Sequence, residues 1–354
     1  QEKLDEQRGV VQNEKRQGEN QPYGKAFTRI SESAFPKGHP YSWSTIGSMD
    51  DLDAASLEDV QDWFKTYYGP NNAVLALAGD IDLETAKLKV AKYFGDIPSG
   101  PPLIKPEKWI AKRLEEKREV MFDDVPQARI YKIWNVPERD TEAAAHFDLA
   151  SSVLVGGKNS PLYKELVYEK QIATSVSSFY YDREIAGMFF IVADVVAGVD
   201  PADVESAMDD VMATFIKRGP NPKLLKAEKT KILAGFIRGI QRIGGFGGKS
   251  DLLATCQTYT GDPGCYQKNA AYLDAVTPSK MKATFAEWID DTPYVLTILP
   301  TDKYTVGETD LDRSSGVPYP TQKVEFQFPK LQTATLSNGA KVVLAQRKGV
   351  PLVE

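Results

Sequence analysis

Residues 56–78 read SLEDVQDWFKTYYGPNNAVLALA, and residues 277–299 read TPSKMKATFAEWIDDTPYVLTIL. The two blocks superpose without a gap when Ser56 is set on Thr277, both of them N-cap residue types. Glu58 and Asp59 fall in the first turn of the earlier helix, where acidic groups complement the dipole. Val60, Phe64 and Tyr67 then make an apolar face at helical spacing, and Met281, Phe285 and Trp288 occupy the same places in the later block. A stop at Tyr68-Gly69-Pro70-Asn71 precedes Ala73 to Ala78, a short apolar run expected as a buried strand. There Val74 falls on Val295 and Leu77 on Ile298. A single amphipathic helix before a strand would align this way by chance. Cap, face, turn and strand in one register favour duplication of one α/β domain.

Working outward, the Pro-rich stretch from Ile97 to Glu107 is the clearest linker, and it lies between the two blocks. The expected fold class is α+β: two homologous α/β sandwich-like domains, each an antiparallel-rich sheet with packed helices, followed by a linker and the start of a third domain. The corresponding ranges are 1–100, 108–302, 303–330 and 331–354. Periodicity predicts helices over 3–17, 83–94, 141–154, 201–217 and 224–240, and strands near 129–135, 172–181 and 188–196. Residues 18–55 carry turn signals and are expected to be irregular.

The chain has 354 residues, 42% hydrophobic and 26% charged, which suits two soluble-type domains. A net charge of −6 opposes a nucleic-acid partner, which needs a basic face for phosphates. No apolar run approaches the ~18 residues of a transmembrane helix. The chain opens on Gln1 within a helical pattern and without a basic-then-apolar leader, so it is expected to be a piece of a longer protein. Two cysteines, Cys256 and Cys265, lie in turn-rich flanks; a short-loop disulfide and a pair of free thiols are both open. Gly244 to Gly248 lacks the spacing of a phosphate loop and reads as a helix break. Lys223, Lys226, Lys229 and Lys231 read as a solvated helix face.

Several segments resemble one family in order along the chain. They are Arg8-Gly9-Val10-Val11-Gln12-Asn13-Glu14, His39-Pro40-Tyr41 with Thr45-Ile46-Gly47, Trp63 to Asn72 running into Ala78-Gly79-Asp80-Ile81, and Tyr93-Phe94-Gly95-Asp96-Ile97-Pro98. Ser160 to Leu166, Ala173-Thr174-Ser175-Val176 and the closing Leu336 to Leu344 continue the series. Together they resemble the insulinase/pitrilysin-type zinc metallopeptidases, the inverted zincins.

That resemblance implies a His-x-x-Glu-His helix whose two histidines and a distant glutamate hold zinc, with the intervening glutamate as general base. Glu14 matches the distant glutamate. The chain's two histidines, His39 and His146, have no partner at that spacing, so the catalytic residues are expected upstream of Gln1 and none in this chain. His39 is expected to be structural or at the surface, and His146 a partly buried core residue. Zn2+ is implied for the parent protein and not for this piece alone, which should be inactive by itself. Family members often carry a carboxylate two turns before the ligand; here that position is Gln7, with Glu6 turned ~100° away. The implied function is hydrolysis of peptides or unfolded polypeptides inside a two-half chamber. The implied partners are that substrate, the preceding segment and the second half of the same protein. The alternative is a non-catalytic half or assembly subunit that binds peptide without cleaving it. Export to the periplasm is the expected location.

Overall fold

The computed structural model describes residues 1–290, 292–301 and 330–345. They form two units, Gln1–Asp302 and Lys303–Glu354. The expected linker at 303–330 lies outside the described residues except for Lys330, and so do residues 346–354.

In the larger unit, one five-stranded sheet forms from β1 (Lys117–Asp123), β2 (Arg129–Val136), β3 (Ala173–Tyr181), β4 (Gly187–Val195) and β5 (Tyr294–Pro300), in the order β1-β5-β2-β4-β3. β1 and β5 run parallel and the other pairs are antiparallel. Because side chains alternate across a strand, each central strand feeds two cores. On one face Ile130, Trp134, Phe189, Ile191 and Val295 pack beneath α6 (Glu142–Val155), α7 (Pro201–Arg218) and α11 (Pro278–Trp288). Phe285 centres this core, with its ring 5.1 Å from Phe147, 5.4 Å from Phe189 and 5.1 Å from Phe215. On the other face Tyr131, Ile133, Phe190, Tyr294 and Leu296 meet Ala26 and Ile30 of α2 (Ala26–Ala34).

The first hundred residues hold α1 (Glu2–Glu19), α2, α3 (Met49–Ala54), α4 (Leu57–Tyr67) and α5 (Leu83–Phe94), with no strand among the described residues. Two expectations are corrected here. Residues 18–55 contain α2 and α3; Ser48 caps α3 by accepting from the Asp51 amide at 3.0 Å. Ala73 to Ala78 is neither buried nor a strand: Val74, Leu75 and Leu77 are 40%, 55% and 49% exposed. A strand exists only as a member of a ladder, and among the described residues no neighbour pairs with this run.

Four helices precede the apolar run in each place: α1 to α4 before Ala73–Ala78, and α8 (Pro222–Gly239), α9 (Lys249–Thr260), α10 (Cys265–Ala275) and α11 before β5. α1 and α8 each have 18 residues, and α4 and α11 each have 11. Ser56 and Thr277 cap their helices alike, accepting from the amides of Asp59 and Lys280. β5, which follows α11, is inserted between β1 and β2; Ala73 to Ala78, which follows α4, occupies the matching place in the chain.

Cys256 and Cys265 form a disulfide joining α9 to α10, with Cα atoms 5.3 Å apart. In the smaller unit, β6 (Leu331–Thr335) and β7 (Lys341–Ala345) form an antiparallel hairpin. Its turn is closed by the Leu336 amide to Ala340 O at 2.9 Å, with Gly339 supplying a φ of +86°.

Candidate functional site

Glu14 lies in the penultimate turn of α1. One side of this helix is fastened to the end of α3. Arg8 donates to the carbonyl oxygens of Leu52, of Asp53 at 3.0 Å and of Ala55 at 2.9 Å, and Gln12 Nε2 donates to Asp53 Oδ1 at 2.6 Å. Those carbonyls end a helix and have no partner within it, so Arg8 both caps α3 and orients α1. The two cations next to Glu14 are engaged elsewhere: Lys15 Nζ lies 2.7 Å from Glu19 Oε1, and Arg16 Nη1 donates to Asn13 Oδ1 at 3.2 Å.

Gln7, Val10, Val11 and Glu14 share the adjacent side of α1, since residues seven apart nearly eclipse. Gln7, Val10 and Glu14 are exposed, Val10 by 52%. Among the described residues no hydrogen bond or ion pair reaches the Glu14 carboxylate. No cluster of three His, Cys, Asp or Glu side chains able to hold a metal forms among the described residues. A catalytic zinc takes three protein ligands, so Glu14 fits one ligand and not a complete site.

Neither histidine is near it in role. His39 is fully buried, its Nε2 donating to Trp109 O at 2.7 Å and its Nδ1 accepting from the Tyr41 amide at 3.0 Å. Its ring stacks on Phe35 at 4.4 Å. Burial, partly opposed by the Trp109 bond and reinforced by Arg183, holds it below the ordinary histidine range. His146 is buried in α6 with Nδ1 2.6 Å from Thr284 Oγ1, and burial again favours its neutral form. Both are structural.

The Gly244 to Gly248 segment is the connection between α8 and α9, and its Gly247 amide donates to Asp251 Oδ2 at 2.8 Å. A carboxylate already sits where an anion would be held.

A second side-chain cluster went unread in the sequence. Lys132 of β2 is buried and paired with Asp209 and with Glu205 Oε1 at 3.2 Å, while Arg118 of β1 grips Glu205 with two bonds of 2.8 and 2.7 Å. Lys132 interrupts the apolar run from Ile130 to Trp134, which is the signal that could have marked it. The cluster neutralises a buried lysine where α7 crosses the sheet.

A family model described as the peptidase M16 inactive domain matches residues 54–232, half of the chain. The chain belongs to the peptidase M16 family. This M16 chain is similar to the zinc protease PqqE of Helicobacter pylori, at 25% identity over 243 residues, covering 66% of the chain and 54% of that protein. It is also similar to the mitochondrial presequence protease of Mus musculus, at 23% identity over 357 residues, covering 92% of the chain and 32% of that protein. Among solved structures, a protease from Helicobacter pylori superposes with a TM-score of 0.74 at 22% identity, over 85% of the M16 chain and 72% of that chain. The peptidase M16 inactive domain from Pseudomonas fluorescens superposes with a TM-score of 0.71 at 19% identity, over 85% and 70%. These superpositions show a shared mixed α/β fold. The M16 chain spans about half the length of the curated relatives it matches, 54% and 57% of the first two.

Proposed function

We propose that this chain is part of a zinc-dependent M16 endopeptidase, to which it contributes Glu14 as one of three metal ligands. The observation that carries the reading is the parallel order of α1–α4 before Ala73–Ala78 and α8–α11 before β5, with α1 and α8 equal in length and α4 and α11 capped alike. In the later set α8 lies against α6, the helix that follows β2. A counterpart of α6 lying against α1 is where a His-x-x-Glu-His helix would meet the open Glu14 carboxylate.

The exposed apolar surface supports the same reading. Val60 and Phe64 of α4 are 45% and 60% exposed, whereas their counterparts Met281 and Phe285 are fully buried. Strands preceding α1 in the same protein would pair with Ala73 to Ala78 as β1 and β2 pair with β5, and would cover that face.

In this reading the chain's own residues position and bind. Arg8 and Gln12 fix α1 against α3, and the helix in turn fixes Glu14. Zinc, once held, supplies a water acidic enough to yield hydroxide near neutral pH. Substrate is an extended peptide or unfolded polypeptide, enclosed between this half and a second half that begins near the β6–β7 hairpin. The Cys256–Cys265 bridge supports export, since such bonds persist in oxidising compartments. Two observations favour a second reading, a peptide-binding half without catalysis. The matched family model is that of the inactive domain, and Gln7 stands where a supporting carboxylate is expected.

The test is hydrolysis of an unfolded polypeptide by the intact protein. The peptidase reading predicts activity that a chelator abolishes, zinc restores and Glu14→Gln lowers by at least tenfold. Polypeptide binding without any zinc-dependent cleavage supports the second reading instead.

A further inference from the structure

The corner between α8 and α9 holds one aromatic ring out in solvent. Residues 242–250 read RIGGFGGKS. The turn closes on itself: the Lys249 amide donates to Arg242 O at 3.0 Å, the Ser250 amide to Ile243 O at 3.2 Å, and the Gly248 amide to Gly245 O at 3.0 Å. Gly245 and Gly247 both stand at a φ of +74°, a conformation that a side chain opposes. Phe246, between those two glycines, is 93% exposed. A phenyl ring left in water forgoes its burial energy, and this turn offers it no cover. Ile237 in the last turn of α8 and Ile243 at the entry to the corner are exposed as well.

The same stretch is basic. From Lys223 to Lys249 it carries seven cations and one anion, in a chain whose net charge is −6. The anion, Glu228, is buried and held by Lys231 Nζ at 2.6 Å. Lys229 is spent on the carbonyl oxygens of Asp274 and Val276. Lys223, Lys226, Arg238, Arg242 and Lys249 are exposed, and among the described residues no carboxylate pairs with any of them. Three of the five, Arg238, Arg242 and Lys249, flank Phe246 in the chain on either side. On α8 itself Lys226, Leu233 and Ile237 follow one another along a single exposed side, turned away from buried Leu225 and Glu228. Exposed apolar side chains and unpaired cations therefore occur together.

We infer that the α8–α9 corner docks on an anionic lipid bilayer, with Phe246 inserted at the boundary of headgroups and acyl chains and Arg238, Arg242 and Lys249 on the lipid phosphates. A single apolar anchor or a few cations alone give marginal membrane binding, and the two signals together make it stable. Shape favours a bilayer over a polypeptide. A peptide is received by a groove or along a strand edge, whereas Phe246 stands out from a convex turn. Val74 and Leu75, exposed themselves, border a shallow recess with Phe246, so the segment proposed to precede α1 is the competing occupant. The inference does not rest on the metal reading, because lipid binding here uses no zinc.

The test is co-sedimentation of the intact protein with vesicles of phosphatidylcholine and phosphatidylglycerol in equal parts, and with vesicles of phosphatidylcholine alone. The mixed vesicles should bind it saturably, phosphatidylcholine alone should bind it at least tenfold more weakly, and added salt should release it. Phe246→Ser should weaken binding at least tenfold while leaving the melting temperature unchanged, since the ring is almost wholly in solvent. Arg242→Gln with Lys249→Gln should also weaken it at least tenfold. Protein stripped of metal by a chelator should bind the vesicles equally well, which keeps this result separate from any loss of peptidase activity. No binding to the mixed vesicles overturns the inference and leaves the segment before α1 as the occupant of this corner. Equal binding to phosphatidylcholine alone, or full binding by Phe246→Ser, overturns it too. So does capture of an acidic unfolded polypeptide, reduced and carboxymethylated α-lactalbumin, that Phe246→Ser abolishes while the vesicles stay unbound.

Discussion

Glu14 and the two histidines show how differently single charged residues are used in this chain. Glu14 sits on an open helix side, beside cations that are already engaged, and its carboxylate is available. His39 and His146 are sealed into packing that keeps them neutral. The pH consequence follows from the sign of the shift. An unfolded chain takes up a proton on each imidazole near the ordinary value of 6.5, while the folded chain resists protonation until the pH is lower. The unfolded state therefore binds more protons in that window, and stability present above pH 6.5 is lost as pH falls through it. The urea midpoint should drop between pH 7.5 and pH 5.5. Histidine proton resonances that titrate at or above 6.5 in the folded protein would contradict this account. In the sequence, His39 before Pro40 in a loop read as structural or at the surface, and burial decides for the first.

At the scale of elements, the sequence located what depends on local chemistry and missed what depends on partners. The helices over 57–67, 83–94, 142–155 and 201–218 were readable from caps and periodicity. β1 was missed because its residues Lys117, Arg118 and Glu119 break the apolar alternation, and its place is fixed by parallel pairing with a strand about 175 residues later. α9 and α10 have weak amphipathic patterns and were not read at all; a disulfide and the packing of α10 against α6 and α8 hold them instead. That bridge closes a short loop, and chain-entropy arguments give it about 2–3 kcal/mol. Replacing Cys256 and Cys265 together by serine should lower unfolding stability by about that amount and loosen α9 and α10 first. Hydrogen exchange of the amides in 249–275 checks it: protection unchanged there, with unchanged stability, would show that packing alone suffices.

For the whole molecule, the repeat is the organising fact. A helix followed by an apolar run buries its apolar side chains at 277–299, where the run is β5, and exposes them at 56–78, where no strand forms, so burial here is decided by the company each keeps. Trp63, Phe64 and Tyr68 are 61%, 60% and 66% exposed on α4 and its stop. A connected apolar surface of that kind marks an interaction face. The chain 1–354 should bind a hydrophobic dye strongly, and protein carrying the segment proposed to precede α1 should bind much less, with Trp63 emission shifted to the blue. Equal dye binding by both would mean that nothing in the parent protein covers this face. The M16 family and its mixed α/β fold were legible from motif order. Of the proposed metal site the sequence offers Glu14 alone, and the described residues form no cluster of three side chains able to hold a metal.

The account stands or falls most directly on zinc bound per molecule of the intact protein, measured by elemental analysis after dialysis. It predicts about one zinc, lost in Glu14→Gln and kept in Glu6→Gln, whose side chain is turned away from the ligand face by ~100°. Full zinc occupancy in Glu14→Gln, or no zinc in the unaltered protein, would contradict it.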